Sequence, residues 1–564
     1  MTRNGIFLLL WLLLAWVPVA QAAESAGVIR TEAEIMRLGE KMYRDGILPS
    51  GEVMEAFIRG DIEVDSTAFS CSSCHLRAGL GSYEGGVVTP PTTGRKLYQP
   101  YQRPPSLSDT VDSGGRYIYA KTIIQRPAYT RETLAHALRT GIDPAGEEFN
   151  DVMPRYPLAD DDMELMIQYL DRLSATYSPG AGEKMMRYAT IITSEVSRED
   201  REALLVPLQR FINVQNQQVK LFQDFKKFGF TPTRDMRFAF RNASLSIWEL
   251  KGEPSTWEAQ LAEYYRKDPV FAILGGISYK DWQPIHNFCE KVRLPCLFPI
   301  TDLPVVSKGD WYTIYYNKGY YQEGEGTARY LHRNPDLTEK GRILQLVEDS
   351  PAGRALAEGF NQTRSELQQK AVTTITLKSE ELQNPDLLKT LLKQNSSNIL
   401  LLWGDATILP VLPNLAAALD SPARIFVSST ALGKSTTRIE EKLRAQTYIT
   451  FPYRLTPYVG GKEGSDARVP LLTNADSLGK KRIDTRTMTM LIQAALQGLL
   501  QLQDNLYQDH LLDVMSMQMD QIVPDYERLS FGPGQRYASK GCYIIQLGPG
   551  EKPELIKQSE WVTH

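Results

Sequence analysis

Three residues in the N-terminal part of this 564-residue chain have the types and the spacing to hold an iron cofactor. Cys71 and Cys74 are separated by two residues, and His75 follows at once. This spacing is typical of c-type haem attachment, in which two thiols bind the haem vinyl groups and the histidine ligates the iron. A zinc site would need a second ligand pair at similar spacing, which the three later cysteines do not provide. We therefore predict one covalently attached haem c.

Met153 is the predicted second axial ligand of the haem iron. It lies in a proline-containing stretch, residues 150–157, directly before a predicted helix. A methionine opposite histidine raises the haem potential, which suits electron transfer and leaves no open iron position for catalysis. The alternatives are that Met153 only packs in the core, or that His136 is the ligand. Met163 and Met166 fall on an i, i+3, i+4, i+7 stripe that is typical of a helix core.

The first 22 residues have the composition of a secretory signal peptide. Arg3 precedes an apolar run from Ile6 to Val17, and Ala20-Gln21-Ala22 is typical of a cleavage site. We predict export to a bacterial periplasm as a soluble protein, with an uncleaved signal anchor as the alternative. No later stretch is long and apolar enough to span a membrane. The net charge of −4 and the pI near 6.0 argue against a nucleic-acid partner.

Residues 28–175 are predicted to form an all-α domain. Amphipathic spacing and capping residues predict helices over 31–45, 130–140 and about 160–173. Together with the CxxCH motif and the Met-Pro pair, this pattern resembles the class I cytochromes c. The resemblance implies a crossing of the first and last helices, a glycine-rich turn after the haem motif, and a proline carbonyl that orients His75. The matching residues are Gly39, Tyr43 and Tyr169 at the crossing, Gly79 and Gly81 in the turn, and Pro90 or Pro91.

The remainder of the chain changes character after a predicted linker at residues 176–183. Residues 184–564 alternate strand and helix patterns, which predicts parallel sheets in two lobes, at about 184–335 and 340–480, with a shared C-terminal part. The predicted strands are 187–193, 245–250, 270–274, 296–298, 342–347, 399–403, 425–428 and 541–547. The predicted helices are 201–218, 256–266, 280–292, 352–367, 387–394, 406–419 and 485–506.

This second domain resembles the type 1 periplasmic binding proteins, especially the branched-chain amino-acid receptors. The matching stretches are 272–278, 294–296, 301–302, 319–331, 341–345 and 428–430. The resemblance implies a cleft between the lobes in which Ser278 and Thr301 bind a ligand carboxylate, although both could simply cap a turn. Cys289 and Cys296 could form a disulfide in an oxidising compartment, which would leave Cys542 as a free thiol.

Two functions are compatible with this organisation. The first is a periplasmic electron carrier with one haem c, a redox partner protein and a tethered domain that binds a small amino-acid-like or other polar ligand. The alternative is a solute receptor of an ABC-type importer, or a ligand sensor, with an accessory haem. We do not expect an enzyme, since no Ser/His/Asp set is evident.

Overall fold

A computed structural model describes residues 30–563 except 103–124, 230–240, 419–422, 434–438, 456–484, 521–525 and several stretches of one to three residues. The predicted signal peptide and Gly341 lie outside the described residues. The chain divides into two compact units. The N-terminal unit comprises the residues up to His75 and Gly81–Leu173, and the C-terminal unit comprises Leu76–Leu80 and Ser174–His564.

The N-terminal unit is built around two helices that cross at a glycine. Thr31 caps the first with a reciprocal Thr31–Glu34 pair, and Gly46 ends it in the left-handed conformation. At the crossing, a Cβ on Gly39 would lie 2.4 Å from Cβ of Tyr169, so only glycine allows the two helices to approach this closely. The helices are α1 (Glu32–Asp45), α2 (Cys71–His75), α3 (Gly94–Leu97), α4 (Arg131–Thr140) and α5 (Asp160–Arg172).

The prediction of an all-α N-terminal domain needs correction, because this unit also contains short antiparallel strand pairs. They are β1 (Phe57–Ile58) with β2 (Ile62–Glu63), β3 (Ser82–Glu84) with β4 (Val87–Thr89), and β5 (Tyr101–Gln102) with β6 (Gln125–Arg126). Strands of two or three residues are too short to show an alternating apolar pattern, so the sequence carried no signal for them. Each closes a connection between the helices.

The C-terminal unit contains a five-stranded parallel sheet in its first half. The strand order is β11-β10-β9-β7-β8. The strands are β7 (Met185–Thr193), β8 (Asn242–Leu250), β9 (Ala272–Leu274), β10 (Cys296–Leu297) and β11 (Thr313–Ile314), and the helices are α6 (Arg198–Lys227), α7 (Trp257–Lys267), α8 (Gln283–Val292), α9 (Gly319–Arg333) and α10 (Pro335–Thr338). The central strand β9 is fully buried, as expected for a parallel strand covered on both faces.

The second half contains a larger, mixed sheet. Its order is β13-β12-β14-β15-β16-β17-β18; β19 also pairs with β17, and β17 is antiparallel to β16. The strands are β12 (Ile343–Glu348), β13 (Thr373–Leu377), β14 (Ile399–Trp403), β15 (Arg424–Ser428), β16 (Thr447–Phe451), β17 (Gly541–Leu547), β18 (Leu555–Lys557) and β19 (Val562–Thr563). The helices are α11 (Pro351–Glu366), α12 (Ser379–Leu382), α13 (Pro385–Asn395), α14 (Val411–Ala418), α15 (Ser429–Leu432), α16 (Glu441–Arg444), α17 (Thr485–Gln501) and α18 (Gln508–Ser516). The C-terminal unit is therefore mixed α/β, with one parallel sheet and one sheet that is mostly parallel.

Residues 176–183 are packed into the C-terminal unit. The Ser178 N–H donates to the carbonyl of Leu506 at 3.0 Å, and the Gln508 N–H donates to the Ser178 hydroxyl at 3.0 Å. A Cβ on Gly180 would lie 2.1 Å from N of Phe271. These contacts exclude the free tether that the composition of this stretch predicted. Within the described part of the chain, no helix is both long and apolar enough to cross a membrane.

Two groups on α18, the half-buried His510 and the buried Asp513, should oppose each other in the pH dependence of stability. Burial lowers the pKa of His510 to about 4. Burial, supported by repulsion from Asp509, raises the pKa of Asp513 to about 6 against the opposing hydrogen bonds from the Arg77 and Ala78 N–H groups. As pH falls from about 6.5 to 4, the unfolded chain protonates the histidine first, which destabilises the fold. Over nearly the same range the folded chain protonates the aspartate first, which stabilises it.

We therefore expect the two contributions, each about 3 kcal/mol, to cancel almost completely in the native sequence. His510→Gln should leave a free energy of unfolding that rises as pH falls from 6.5 to 4, relative to the native chain. In Asp513→Asn the free energy of unfolding should instead fall as pH falls from 6.5 to 4, relative to the native chain. Denaturant unfolding at several pH values measures both slopes, and equal slopes in the two variants would contradict this assignment.

Candidate functional site

The CxxCH motif forms one helical turn in the N-terminal unit. Helix α2 places Cys71, Cys74 and His75 at i, i+3 and i+4, so the three side chains share one face. The Ser72 hydroxyl holds this turn by donating to the carbonyl of Arg44, at the end of α1, at 3.2 Å. Cys71 is half-buried and Cys74 is exposed, and both are free thiols. The local fold therefore brings the predicted haem-attaching residues together.

The two ring nitrogens of His75 have different surroundings. Nδ1 lies 2.7 Å from the carbonyl oxygen of Pro90, which selects Pro90 rather than Pro91 as the orienting proline. Burial lowers the pKa of His75 to about 4, so the imidazole is neutral at pH 7 and donates its single N–H to that carbonyl. Nε2 then carries the lone pair, and it is buried with no hydrogen-bond partner among the described residues. A neutral, oriented imidazole with a free Nε2 is the form of histidine that binds a metal.

Met153 lines the same cavity as His75 and Cys71. The cavity is apolar and has a volume of about 30 Å³. Its other walls are formed by Tyr43, Thr92, Leu138, Tyr156, Leu158, Met166 and Leu170. This volume corresponds to a single water molecule, so the walls must separate to admit a haem. Met166 shares the cavity wall and stays a competing ligand, whereas Met163 and the exposed His136 do not line it.

Backbone hydrogen bonds hold the loop that carries Met153. The Met153 N–H donates to the carbonyl of Asn150 at 2.8 Å, and the Asn150 side chain accepts from the Val152 N–H at 3.1 Å. Two residues later, Arg155 exchanges both backbone hydrogen bonds with Phe57 of β1, at 2.8 and 3.0 Å. These hydrogen bonds hold the loop in place. A thioether binds iron weakly, so it must be delivered by a rigid loop of this kind.

The predicted ligand residues of the C-terminal unit are engaged by the chain itself. The buried Ser278 donates its hydroxyl hydrogen to Oε1 of Glu195 at 3.3 Å, and the Tyr279 N–H donates to the same oxygen at 3.1 Å. The Thr193 hydroxyl is a third donor to this oxygen. Thr301 accepts a hydrogen bond from the Leu303 N–H at 3.1 Å, as a turn cap does. Of the two residues expected to bind a ligand carboxylate, Ser278 therefore contacts a carboxylate of the protein and Thr301 caps a turn.

Glu195 is the residue that sequence reasoning missed. Burial raises its pKa, but the hydrogen bonds from Thr193, Tyr279 and Ser278 outweigh that effect, so the pKa is lowered and Glu195 is ionised. Its Oε2 atom is buried with no hydrogen-bond partner among the described residues. The sequence feature that could have identified Glu195 is its position two residues beyond the carboxyl end of β7, because open α/β sheets bind ligands at that edge.

A matching carboxylate lies in the second half of the unit. Glu348 ends β12 and is almost fully buried. It accepts hydrogen bonds from the Ser379 and Thr407 hydroxyls and, at 3.0 Å, from the Asp405 N–H. Burial raises its pKa, and these hydrogen bonds more than offset the rise, so the pKa is lowered. Each half thus has an ionised carboxylate at the carboxyl end of its sheet.

Removal of the Glu195 carboxylate should free its donors for an added anion. We expect Glu195→Ala to lower the free energy of unfolding by about 1–3 kcal/mol, because three hydrogen bonds to a charged group are lost and their donors stay partly buried. Acetate should restore part of the melting temperature in Glu195→Ala but not in the native chain. Glu199→Ala, an exposed position on α6, is the matched control for carboxylate removal. Equal acetate effects on all three proteins would contradict this assignment.

Cys289 and Cys296 are neighbouring buried thiols, and the disulfide predicted between them is not formed in this structure. Burial is the main cause that raises the pKa of Cys289 well above its ordinary value, and a hydrogen bond with Cys296 raises it further. Cys542 is also a buried free thiol, as expected. A thiol with a raised pKa is rarely present as the reactive thiolate, so it reacts slowly.

The comparisons with known proteins concern the fold. No family model and no curated protein sequence matches the chain. Similar solved structures include a fatty acid ABC transporter substrate-binding protein from Thermomonospora curvata, with 14% identity over 69% of this chain and 95% of that chain and a TM-score of 0.44. A branched chain amino acid ABC transporter from Thermus thermophilus with bound valine has 11% identity over 68% and 97% of the two chains and a TM-score of 0.44. A solute binding protein from R. palustris in complex with benzoate has 10% identity over 67% and 98% and a TM-score of 0.42.

The likeness is one of fold. Nothing in the comparisons supports a cytochrome c domain at residues 28–175, so that assignment stays a prediction.

Proposed function

We propose that this protein is a periplasmic solute-binding protein whose N-terminal unit carries one haem c. The observation that supports the haem is the buried Nε2 of His75, which has no partner in the described part of the chain and lies in a cavity that Cys71 and Met153 also line. In this proposal Cys71 and Cys74 hold the haem covalently, and His75 and Met153 are its axial ligands. When bound, the haem would supply one-electron transfer.

The chain's own residues would prepare this site before haem is attached. Pro90 fixes the tautomer and the orientation of His75, because its carbonyl accepts the only N–H of the neutral ring. Burial keeps His75 unprotonated, so no proton has to leave before it ligates. The Asn150 turn positions Met153.

The C-terminal unit would bind the solute. Glu195 supports this assignment, because its Oε2 is a buried, charged acceptor that has no partner among the described residues and lies at the ligand-binding edge of a parallel sheet. A donor such as an ammonium, amide or hydroxyl group would satisfy this atom. A free carboxylate would meet repulsion there, so we expect a ligand that presents a donor group to Glu195.

An electron carrier with a periplasmic redox partner protein is the second candidate. It would use the same His75 and Met153 ligands, and its C-terminal unit would dock the partner instead of a solute. Since both functions require the haem, its presence alone does not separate them.

The deciding experiment combines haem analysis with ligand-dependent melting of the full chain. After expression in a host that attaches haem c, the protein should carry one haem per chain that survives denaturation. Melting against a metabolite panel should then identify a compound that raises the melting temperature, as a ligand of the native state must. Absence of covalent haem would refute the haem assignment. A panel without effect, together with rapid reduction by a periplasmic electron donor, would favour the electron carrier over the solute receptor.

A further inference from the structure

A large open cavity lies in the C-terminal unit, away from the residues discussed so far. Its volume is about 540 Å³. It is located where β12 and β13 begin and where α11 and α13 end, which is the opposite edge of the sheet from Glu348. We call it the basic pocket and define it by Arg342, Arg364, Lys370, Gln369, Gln394 and Asn395.

The basic pocket has three positive charges, and none of the described residues that line it is a carboxylate. Arg364 is half-buried and forms part of the wall of the basic pocket. Its Nη1 donates to Oε1 of Gln369 at 2.6 Å, and its Nη2 donates to the carbonyl oxygen of Lys370 at 2.7 Å. Both acceptors are neutral, and Nε is buried with no acceptor among the described residues. Burial without a counter-ion lowers the pKa of Arg364, so a positive charge in this wall is left uncompensated.

The negative ends of two helix dipoles offset only part of the positive charge in the pocket. Arg364 lies in the last turn of α11, where a cation interacts favourably with the helix dipole. The C-terminal ends of α11 and α13 each contribute roughly half a negative charge, against three full positive charges. Arg342 precedes β12 and Lys370 lies in the loop before β13, so neither belongs to a helix end. The described residues thus leave an excess of positive charge in the pocket, which favours the binding of an anion.

We propose that the basic pocket binds a soluble, phosphorylated small molecule. The cavity volume falls within the roughly 300–1,000 Å³ of small-molecule sites. An arginine fork pairs with two phosphate oxygens at once, and lysine adds a point charge. A multiply charged phosphate matches three cations better than a single carboxylate does. The site is independent of the proposed haem and of the proposed solute site at Glu195.

Inorganic pyrophosphate is the probe, used with the full chain in magnesium-free buffer. Isothermal titration calorimetry should show saturable binding that weakens as sodium chloride rises, whereas acetate should show none. Lys370→Gln should weaken binding by about tenfold or more, because one charged contact is lost. Arg364→Gln should weaken it further, and Arg364→Lys should fall between that variant and the native chain.

Arg354→Gln is the matched control. Arg354 lies on the same helix, α11, but is exposed and pairs with Asp349 at 2.6 Å outside the pocket. The Arg354→Gln variant should bind pyrophosphate with the same affinity as the native chain. Lys370 is exposed, so Lys370→Gln should fold even if Arg364→Gln does not. Absence of saturable binding to the native chain, or equal affinity in Lys370→Gln and the native chain, would overturn the proposal.

Discussion

Replacement of both Cys71 and Cys74 by serine should abolish covalent haem attachment completely. A serine hydroxyl cannot form the thioether bond to a haem vinyl group, so any haem that still binds through His75 would dissociate on denaturation. The measurement is haem staining after denaturing electrophoresis, together with the intact mass and acid–acetone extraction. The native chain should keep one haem in all three assays.

Single variants and a distant cysteine make this test specific. Cys71→Ser and Cys74→Ser should each leave one thioether bond, detectable as a shifted haemochrome spectrum. Cys542→Ser removes a buried thiol of β17, in the C-terminal unit, and should keep the full haem content. Normal covalent haem in the double variant would refute the assignment of the motif.

Met153→Ala should cause the second large effect, on the spectrum and on the reduction potential. Loss of the thioether should remove the weak sulfur-to-iron charge-transfer band and lower the potential by on the order of 100 mV or more, since axial ligands set haem potentials over about 0.8 V. Spectroelectrochemical titration of the full chain measures both quantities. Met166 also lines the cavity next to Met153, so its thioether is the competing ligand that the controls must test.

The two methionines of α5 are the controls for this variant. Met166 lines the cavity and Met163 does not, although both are almost fully buried. Met163→Leu and Met166→Leu conserve volume and should retain the band and the potential within a few tens of mV, an order-of-magnitude expectation for substitutions that leave both axial ligands in place. If Met166→Leu abolishes the band while Met153→Ala retains it, the axial ligand is Met166.

The long elements of the fold could be predicted closely from the sequence. The strands predicted over 399–403 and 541–547 coincide with β14 and β17, and the helix expected over 31–45 is α1 without its capping Thr31. These elements are either continuous apolar runs or regular stripes, which local patterning specifies. β13 was missed because it is an edge strand, exposed along most of its length and rich in threonine. Such a strand exists only because β12 offers hydrogen-bond partners.

The sequence by itself determined the chemistry of the N-terminal site. The spacing of Cys71, Cys74 and His75 requires only one helical turn to bring them onto one face, so no tertiary contact is needed to recognise it. The neutral state of His75 and the choice of Pro90 depend on burial and on a contact across fifteen residues. Only the folded chain supplies these.

Tertiary structure alone decided the chemistry of the C-terminal unit. Glu195, Ser278 and Tyr279 are more than eighty residues apart at their widest, and they meet because β7 and β9 are neighbours in a parallel sheet. Parallel pairing aligns the carboxyl ends of strands that are distant in sequence, so residues without a shared local motif become one cluster. Local patterning cannot report such a cluster, since its hydrogen bonds form only after the sheet has set the strand order.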